Sequence, residues 1–327
     1  MPDRITLESA AALALRAPSV HNSQPWRWRV SSQGIHLYAD PQLHLVHTDP
    51  DARDLYLSCG IALHHMRVAL AALGWRATVR RFPTVEDPYH IAAVEMHPQF
   101  VAEDDIALAA AIPRRRSDRR WYSSWPVPDR YLSMLNKRAA VEGVVLDRAH
   151  MSTYFRRAAA MAADHHAADP AYQAELAIWS GGYRVHDGVP SSNAPAQTTP
   201  PSPALREFTS PALSQSARAD SEEDAGILLI VGTPGDDRAS QLRAGEAASG
   251  VLLEATALGL STCPFSEPLE IAETRTVIQE HVANNDCYPQ LILRVGWAPA
   301  NADPLPPTPR KPLSSVLVGL DAAQSAR

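Results

Sequence analysis

Cysteine is scarce in this chain and odd in number. Cys59, Cys263 and Cys287 lie far apart, which argues against a disulfide framework or a zinc site and suits a cytoplasmic protein. Met1 to Leu15 has no charged-then-apolar leader pattern, and no apolar run approaches the ~20 residues of a membrane helix, so no membrane partner is expected. Lysine is nearly absent: of 30 basic residues only Lys137 and Lys311 are lysines, and the formal net charge of -6 removes any general attraction to nucleic acid. No Gly-x-Gly-x-x-Gly follows a strand and no phosphate loop occurs, which leaves a Rossmann or nucleoside-triphosphate reading without support. His-Glu-x-x-His is missing too. The adjacent pairs His64-His65 and His165-His166 cannot aim two rings at one ligand from one helix face, so no metal site is expected.

What is present describes an ordinary globular chain: 327 residues, 45% apolar and 20% charged, enough for one large domain or two small ones. Two segments depart from that background. Ala17-Pro18-Ser19-Val20-His21-Asn22-Ser23-Gln24-Pro25-Trp26 lies between a helical run and a strand. Nearly every side chain in it can donate, accept or stack, although two prolines could equally close a polar turn. Trp26 and Trp28 alternate as core residues of the strand that follows. The second segment is Arg114-Arg115-Arg116-Ser117-Asp118-Arg119-Arg120. Its guanidinium forks suit a phosphate, yet alone it reads as well as a solvated basic turn.

The chain also contains itself twice. Asp51 to Trp75 aligns without a gap on Asp236 to Leu260, with identities at Asp51/Asp236, Arg53/Arg238, Leu57/Leu242, Gly60/Gly245, Ala62/Ala247, Ala72/Ala257, Leu73/Leu258 and Gly74/Gly259. Both copies read as one long apolar helix stopped by a glycine in the left-handed position. A strand candidate precedes each (Gly34 to Ala39, Gly226 to Val231) and another follows each (Ile91 to Met96, Gln290 to Val295). The expected fold is α+β, two fused sheet-and-helix halves related by a pseudo-twofold, with residues 1–112 forming the first half and 113–327 the second.

Pro18-Ser19, Asn22-Ser23-Gln24-Pro25-Trp26, Arg115-Arg116-Ser117-Asp118-Arg119 and the late Pro309-Arg310-Lys311-Pro312 resemble the signature regions of the nitroreductase superfamily. Ordinary members carry the arginine motif first. The reversed order here, with Asp187-Gly188-Val189-Pro190 between, resembles the dormancy-associated, Acg-type single-chain members found in mycobacteria. The resemblance runs from about residue 7 to 318 and implies a nitroreductase-like fold with one flavin mononucleotide (FMN) per monomeric pseudo-dimer, the second site of the ancestral dimer having decayed. It implies that Arg115, Arg116, Ser117, Arg119 and Arg310 hold the phosphate. Ser19, Val20, His21, Asn22 and Gln24 would meet the ribityl chain and pyrimidine edge. Ser261, Pro264 and Phe265, in the loop Ser261 to Pro268, would lie near the reactive N5. Arg114 and Arg120 are expected at the surface or in salt bridges. His21 is a conceivable proton donor but more simply a hydrogen-bonding group, and no residue is assigned as catalytic. Cys263, lacking a cationic neighbour in sequence, reads as a small buried residue.

Between Trp179 and Ile227 the pattern dissolves into Pro, Ser, Ala and Thr. So long a connection is a linker or a lid. Gly181, Gly182 and Gly188 could hinge it, Leu205, Phe208 and Leu213 could anchor it, and the resemblance implies a lid at about 181–224 with Asp187 to Pro190 nearest the ring. Two functions stay open: a protein that sequesters or stores flavin with low turnover, or an NAD(P)H-dependent reductase of nitroaromatics or quinones, since a nicotinamide must stack on the exposed flavin face to pass its hydride.

Overall fold

The computed structural model describes residues 1–182, 184–196, 206–215 and 224–319. The first part runs α1 (Arg4–Ala14), β1 (Trp26–Ser31), β2 (Gly34–Ala39), α2 (Arg53–Ala72), β3 (Trp75–Arg81), β4 (His90–Pro98) and α3 (Glu103–Ala111). The second runs α4 (Asp129–Ala140), β5 (Val145–Ala149), α5 (Thr153–Ala168), α6 (Pro170–Ile178), β6 (Ile227–Thr233), α7 (Arg238–Ala257), β7 (Ser261–Phe265), α8 (Glu267–Glu270), α9 (Ala272–His281), β8 (Tyr288–Gly296), α10 (Leu313–Val316) and β9 (Leu317–Val318).

The strands form two sheets, ordered β3-β4-β2-β1-β9 and β5-β6-β8-β7. Within each sequential run the pairing is antiparallel, as in the β1/β2 hairpin that sets Trp26 opposite Ala39 and Ser31 opposite Gly34. β9 is different: the chain end returns to the first sheet and pairs parallel to β1. β6 sits inside its sheet with all seven residues buried, as its unbroken apolar run requires. Trp26 and Trp28 are buried on β1, their expected place.

The two long helices match the sequence repeat at both ends. α2 opens at Arg53 and α7 at Arg238; they close at Ala72 and Ala257. Gly74 and Gly259 follow with φ of +84° and +81°, the left-handed conformation that an L side chain resists. The helices pack on each other at Gly60 and Gly245, where nothing larger than hydrogen fits. A Cβ on Gly60 would lie 2.1 Å from the Leu242 carbonyl oxygen, and one on Gly245 would lie 2.0 Å from that of Leu57. The contact is reciprocal, because Leu57 and Leu242 are themselves a matched pair in the repeat. One buried apolar cluster runs through both long helices and both sheets.

Three expectations change. Ser261 to Pro268 is no loop: its first five residues are β7, hydrogen-bonded to β8, and α8 begins at Glu267. α2 is long and apolar enough by length and composition to cross a membrane, closer to that limit than the sequence reading allowed, but most of it is buried inside the protein. His64 and His65 do converge: each brings Nδ1 to 2.8 Å from the Ser249 hydroxyl of α7. The partner is a side chain between two helices, a geometry that helix periodicity alone does not reveal.

Candidate functional site

The loop between α1 and β1 is strained in a way that sequence cannot show. A short 3₁₀ turn covers Val20–Asn22, and His21, Asn22 and Gln24 all adopt positive φ (46°, 54° and 52°). Such backbone is uncommon outside glycine and persists where surrounding contacts over-determine it, often at functional sites. The contacts are present. Gln24 N donates to Ser19 Oγ at 2.9 Å, and its side-chain Oε1 accepts from Lys311 N at 3.0 Å. Its Nε2 donates to His186 O at 2.9 Å. Asn22 Nδ2 donates to Gly188 O and Pro309 O, both at 3.0 Å. Asn22 and Gln24, expected to face a ligand, instead brace the loop against the 186–188 segment and the late proline-rich segment.

In front of the braced loop lies a cleft of about 90 Å³ that opens to solvent. Pro18, Ser19, Val20 and His21 form one wall. Asp54, Leu57, Ser58 and Ile61 of α2 form the floor, Cys263, Pro264 and Phe265 of β7 face the loop, and Ser117 and Arg119 enter at one end. The arginine segment reaches this place by adding to the free edge of β7, where Asp118 N donates to Thr262 O at 2.8 Å. Ser261 stands aside, its hydroxyl 3.4 Å from Asp118 Oδ2.

Arg115, Arg116 and Arg310 lie beside the cleft rather than in its wall. Arg115 and Arg310 are each pushed down to about 9, first by burial and then by neighbouring guanidiniums: Arg116, Arg16 and Arg119 act on Arg115, while Arg115, Arg16 and Arg116 act on Arg310. Both remain cations at neutral pH. The Nε of each is buried with no hydrogen-bond partner among the described residues. Arg115 Nη1 reaches Ser117 Oγ at 3.4 Å, and Arg310 Nη2 reaches the Arg16 carbonyl at 3.0 Å. Arg116 binds the Leu305 and Pro113 carbonyls. Arg16, Arg115, Arg116 and Arg310 thus lie close enough for their charges to repel one another. Arg114 is exposed, and Arg120 is paired with Asp118 at 2.9 Å, the two expected fates.

The insertion supplies two further residues to the cleft, Arg206 and Phe208. Arg206 Nη2 donates to both oxygens of Glu270, at 2.5 and 2.6 Å, and its Nη1 lies 3.1 Å from His21 Nε2. Phe208 stands edge-on to the His21 ring and lies under the Arg119 guanidinium, 4.7 Å away. Asp187 to Pro190, expected nearest the ligand, sit behind the loop, with Asp187 bonded to Arg184 and 3.9 Å from Lys311 Nζ. Gly181 and Gly188 have positive φ as hinge candidates, and Leu213 pairs with Pro195, but Leu205 lies outside the described residues.

Burial, then Arg206 and Arg119, hold His21 well below the usual histidine range. A neutral imidazole that faces a guanidinium accepts from it and makes a poor proton donor, which removes the role weighed for it. Cys263 is buried with its thiol raised, first by that burial, and all three cysteines are free and buried. Among the described residues no His, Cys, Asp and Glu cluster could hold a metal. Asp54 and Arg206 were missed in the sequence, and Phe208, expected only to anchor the insertion, lines the cleft as well. Asp54 looks like an ordinary helix-start acid, and the other two lie in a stretch without periodicity.

No family model matches the chain. Two proteins of Mycobacterium tuberculosis H37Rv share the name Putative NAD(P)H nitroreductase. Rv3131 is 50% identical over 317 residues, covering 97% of this chain and 92% of that protein. The second, acg, is 34% identical over 323 residues, covering 97% of each. Among solved structures, the FMN-dependent nitroreductase NfnB from Mycobacterium smegmatis, in complex with NADPH, aligns at 14% identity and a TM-score of 0.39, covering 65% of this chain and 97% of its own. With half its residues matched to Rv3131 across nearly the full length of both, the chain belongs to the NAD(P)H nitroreductase family, in the branch that includes acg.

Proposed function

We propose that the protein binds one FMN per chain, with the phosphate at Arg115, Arg116, Arg119 and Arg310 and the ring system in the cleft, and that the 181–224 insertion keeps the cofactor covered so that turnover is low. The observation that carries this reading is the pair of buried, unpartnered guanidinium nitrogens on Arg115 and Arg310. A near-dianionic phosphate would satisfy both and relieve the repulsion within the cluster. Ser19, Val20, His21, Pro264 and Phe265 then offer polar groups on one wall and apolar ones on the other for a flat ring. FMN, when bound, supplies the capacity to accept and release a hydride. The protein holds it, limits water and restricts what stacks upon it: Phe208 and Arg206 occupy cleft wall that an incoming nicotinamide would need to reach.

One cofactor per chain follows from a substitution between the proposed halves, 1–112 and 113–327. The cleft floor on α2 is Asp54, Leu57, Ser58 and Ile61; the repeat pairs these with Ala239, Leu242, Arg243 and Glu246 of α7. Glu246 is completely buried and ion-paired with Arg67 at 2.8 Å and Arg81 at 2.7 Å. A buried, ion-paired charge thus stands at the position that the repeat matches to the cleft-lining Ile61, which supports a pseudo-dimer with one surviving site.

An anaerobic absorption spectrum tests the proposal. Flavin bands near one per chain that dithionite bleaches at once and NADH or NADPH bleaches slowly or not at all are expected. Rapid bleaching by a nicotinamide, with recovery on adding a nitroaromatic or quinone, would instead establish the reductase reading. Failure to take up FMN at all would overturn both.

A further inference from the structure

Among the described residues, Asp54 is the one acidic residue that borders the cleft and also two smaller neighbouring cavities. The first of these is lined by Ser23, His44 and Asp49; the second by Asp49, Asp51, Arg53 and Glu270. The Asp51 side chain at the far side of the second is 61% exposed. The Asp54 residue is 7% exposed, and its carboxyl group makes no hydrogen bond or ion pair with any described residue. A carboxyl this close to burial and without a protein partner must face the cavities it borders, and is costly there unless it is protonated or meets water. Its neighbours carry charge from every side: Asp49 ahead of α2, Glu270 on α8, Arg206 on the insertion and Arg53 beside it on α2. Burial comes first and the Asp49 and Glu270 carboxyls second in holding Asp54 well above the usual carboxylate range, and burial pushes Asp49 up to about 7.

We propose that Asp54 is the proton-exchange group of the cleft, delivering a proton to the reacting molecule and reloading from solvent through the Asp49, Glu270 and Asp51 side. The inference rests on the reading of the cleft as a redox cofactor site. A hydride passed to a quinone needs one proton to complete the hydroquinone: the hydride carries both electrons, Asp54 loses its proton and becomes a carboxylate, and solvent restores it. His21 cannot do this while neutral and facing Arg206.

The test has one arm that needs no cofactor. In apo protein at pH 7, infrared spectroscopy should show protonated-carboxyl absorption that Asp54→Asn diminishes and Asp54→Glu restores at a shifted frequency. In FMN-loaded protein reduced with dithionite, reoxidation by a small quinone should slow at least tenfold in Asp54→Asn and recover in Asp54→Glu or with added formate buffer. A protonated-carboxyl absorption that Asp54→Asn does not diminish, the part from Asp49 and Glu246 persisting in both proteins, or an Asp54→Asn protein that reoxidises at the native rate, overturns the proposal. A chain that takes up no FMN but keeps the Asp54 band refutes the cofactor reading alone.

Discussion

Arg115 and Arg310 present a contrast between cost and use. Each holds a cation inside the protein with an unsatisfied nitrogen and like charges nearby. Such an arrangement opposes folding on its own and favours an anion when one arrives. Charge-assisted hydrogen bonds contribute about 1.5–3 kcal/mol each, so replacing both residues by alanine should weaken FMN binding by roughly 100-fold or more. The apo fold should keep its melting temperature or gain slightly. Calorimetric titration with FMN beside thermal unfolding of the apo protein reads both effects, and undiminished affinity would dismiss the phosphate assignment. Arg206→Ala should behave in the opposite sense. It strips the bidentate partner from Glu270, whose side chain is almost wholly buried, and breaking such a pair costs about 3–5 kcal/mol. Loss of several degrees in melting temperature is expected, with faster nicotinamide access to bound FMN as the separate sign that the cover has loosened. The arginines were legible because a run of one charge is visible in any sequence. Asp54 and Arg206 were not, because Asp54 matters through its burial and Arg206 through Glu270, 64 residues away.

At the scale of elements, the crossing of α2 and α7 joins the fold together. Gly60 and Gly245 allow the two backbones to touch, and each blocks the other's carbonyl neighbour from accepting even a methyl group. Gly60→Ala is therefore expected to destabilise the protein by about 2–4 kcal/mol, beyond the small gain in helix propensity that alanine brings. Denaturant unfolding measures it, and Gly250→Ala, where a Cβ would press only on the flexible Arg138 side chain, is the milder control. These helices could be seen in the sequence because their repeat kept both the glycine stop and the contact glycine. β6 was equally plain from its apolar run. β7 escaped notice since Ser261-Thr262-Cys263-Pro264-Phe265 holds a proline and no clean alternation, and its strand character comes from pairing with β8. The parallel return of β9 is two residues long and follows a proline-rich segment, so only tertiary contact defines it.

For the whole molecule, several buried titratable groups pull stability in opposite directions as pH changes. His21, His64 and His65 are all held below the ordinary histidine value, in each case first by burial. Below about pH 6.5 the unfolded chain binds protons that these rings refuse, so their contribution to stability rises with pH and is complete once the unfolded histidines are neutral. Asp49, Asp54 and Glu246 are raised, again first by burial. For them the folded state holds protons that the unfolded chain has released, so stability falls as pH climbs from the ordinary carboxylate range through the folded value. Between about pH 7.5 and 8.5 the unfolded histidines are neutral, their contribution is flat, and the buried acids give the slope. The melting temperature should therefore decline across that interval. Asp54→Asn removes one source of the decline, so its advantage over the native protein should widen toward pH 8.5. Parallel melting curves for the two proteins that keep a constant separation from about pH 7.5 to 8.5 would mean that Asp54 is already ionised in the folded state, and the proton path would lose its central group.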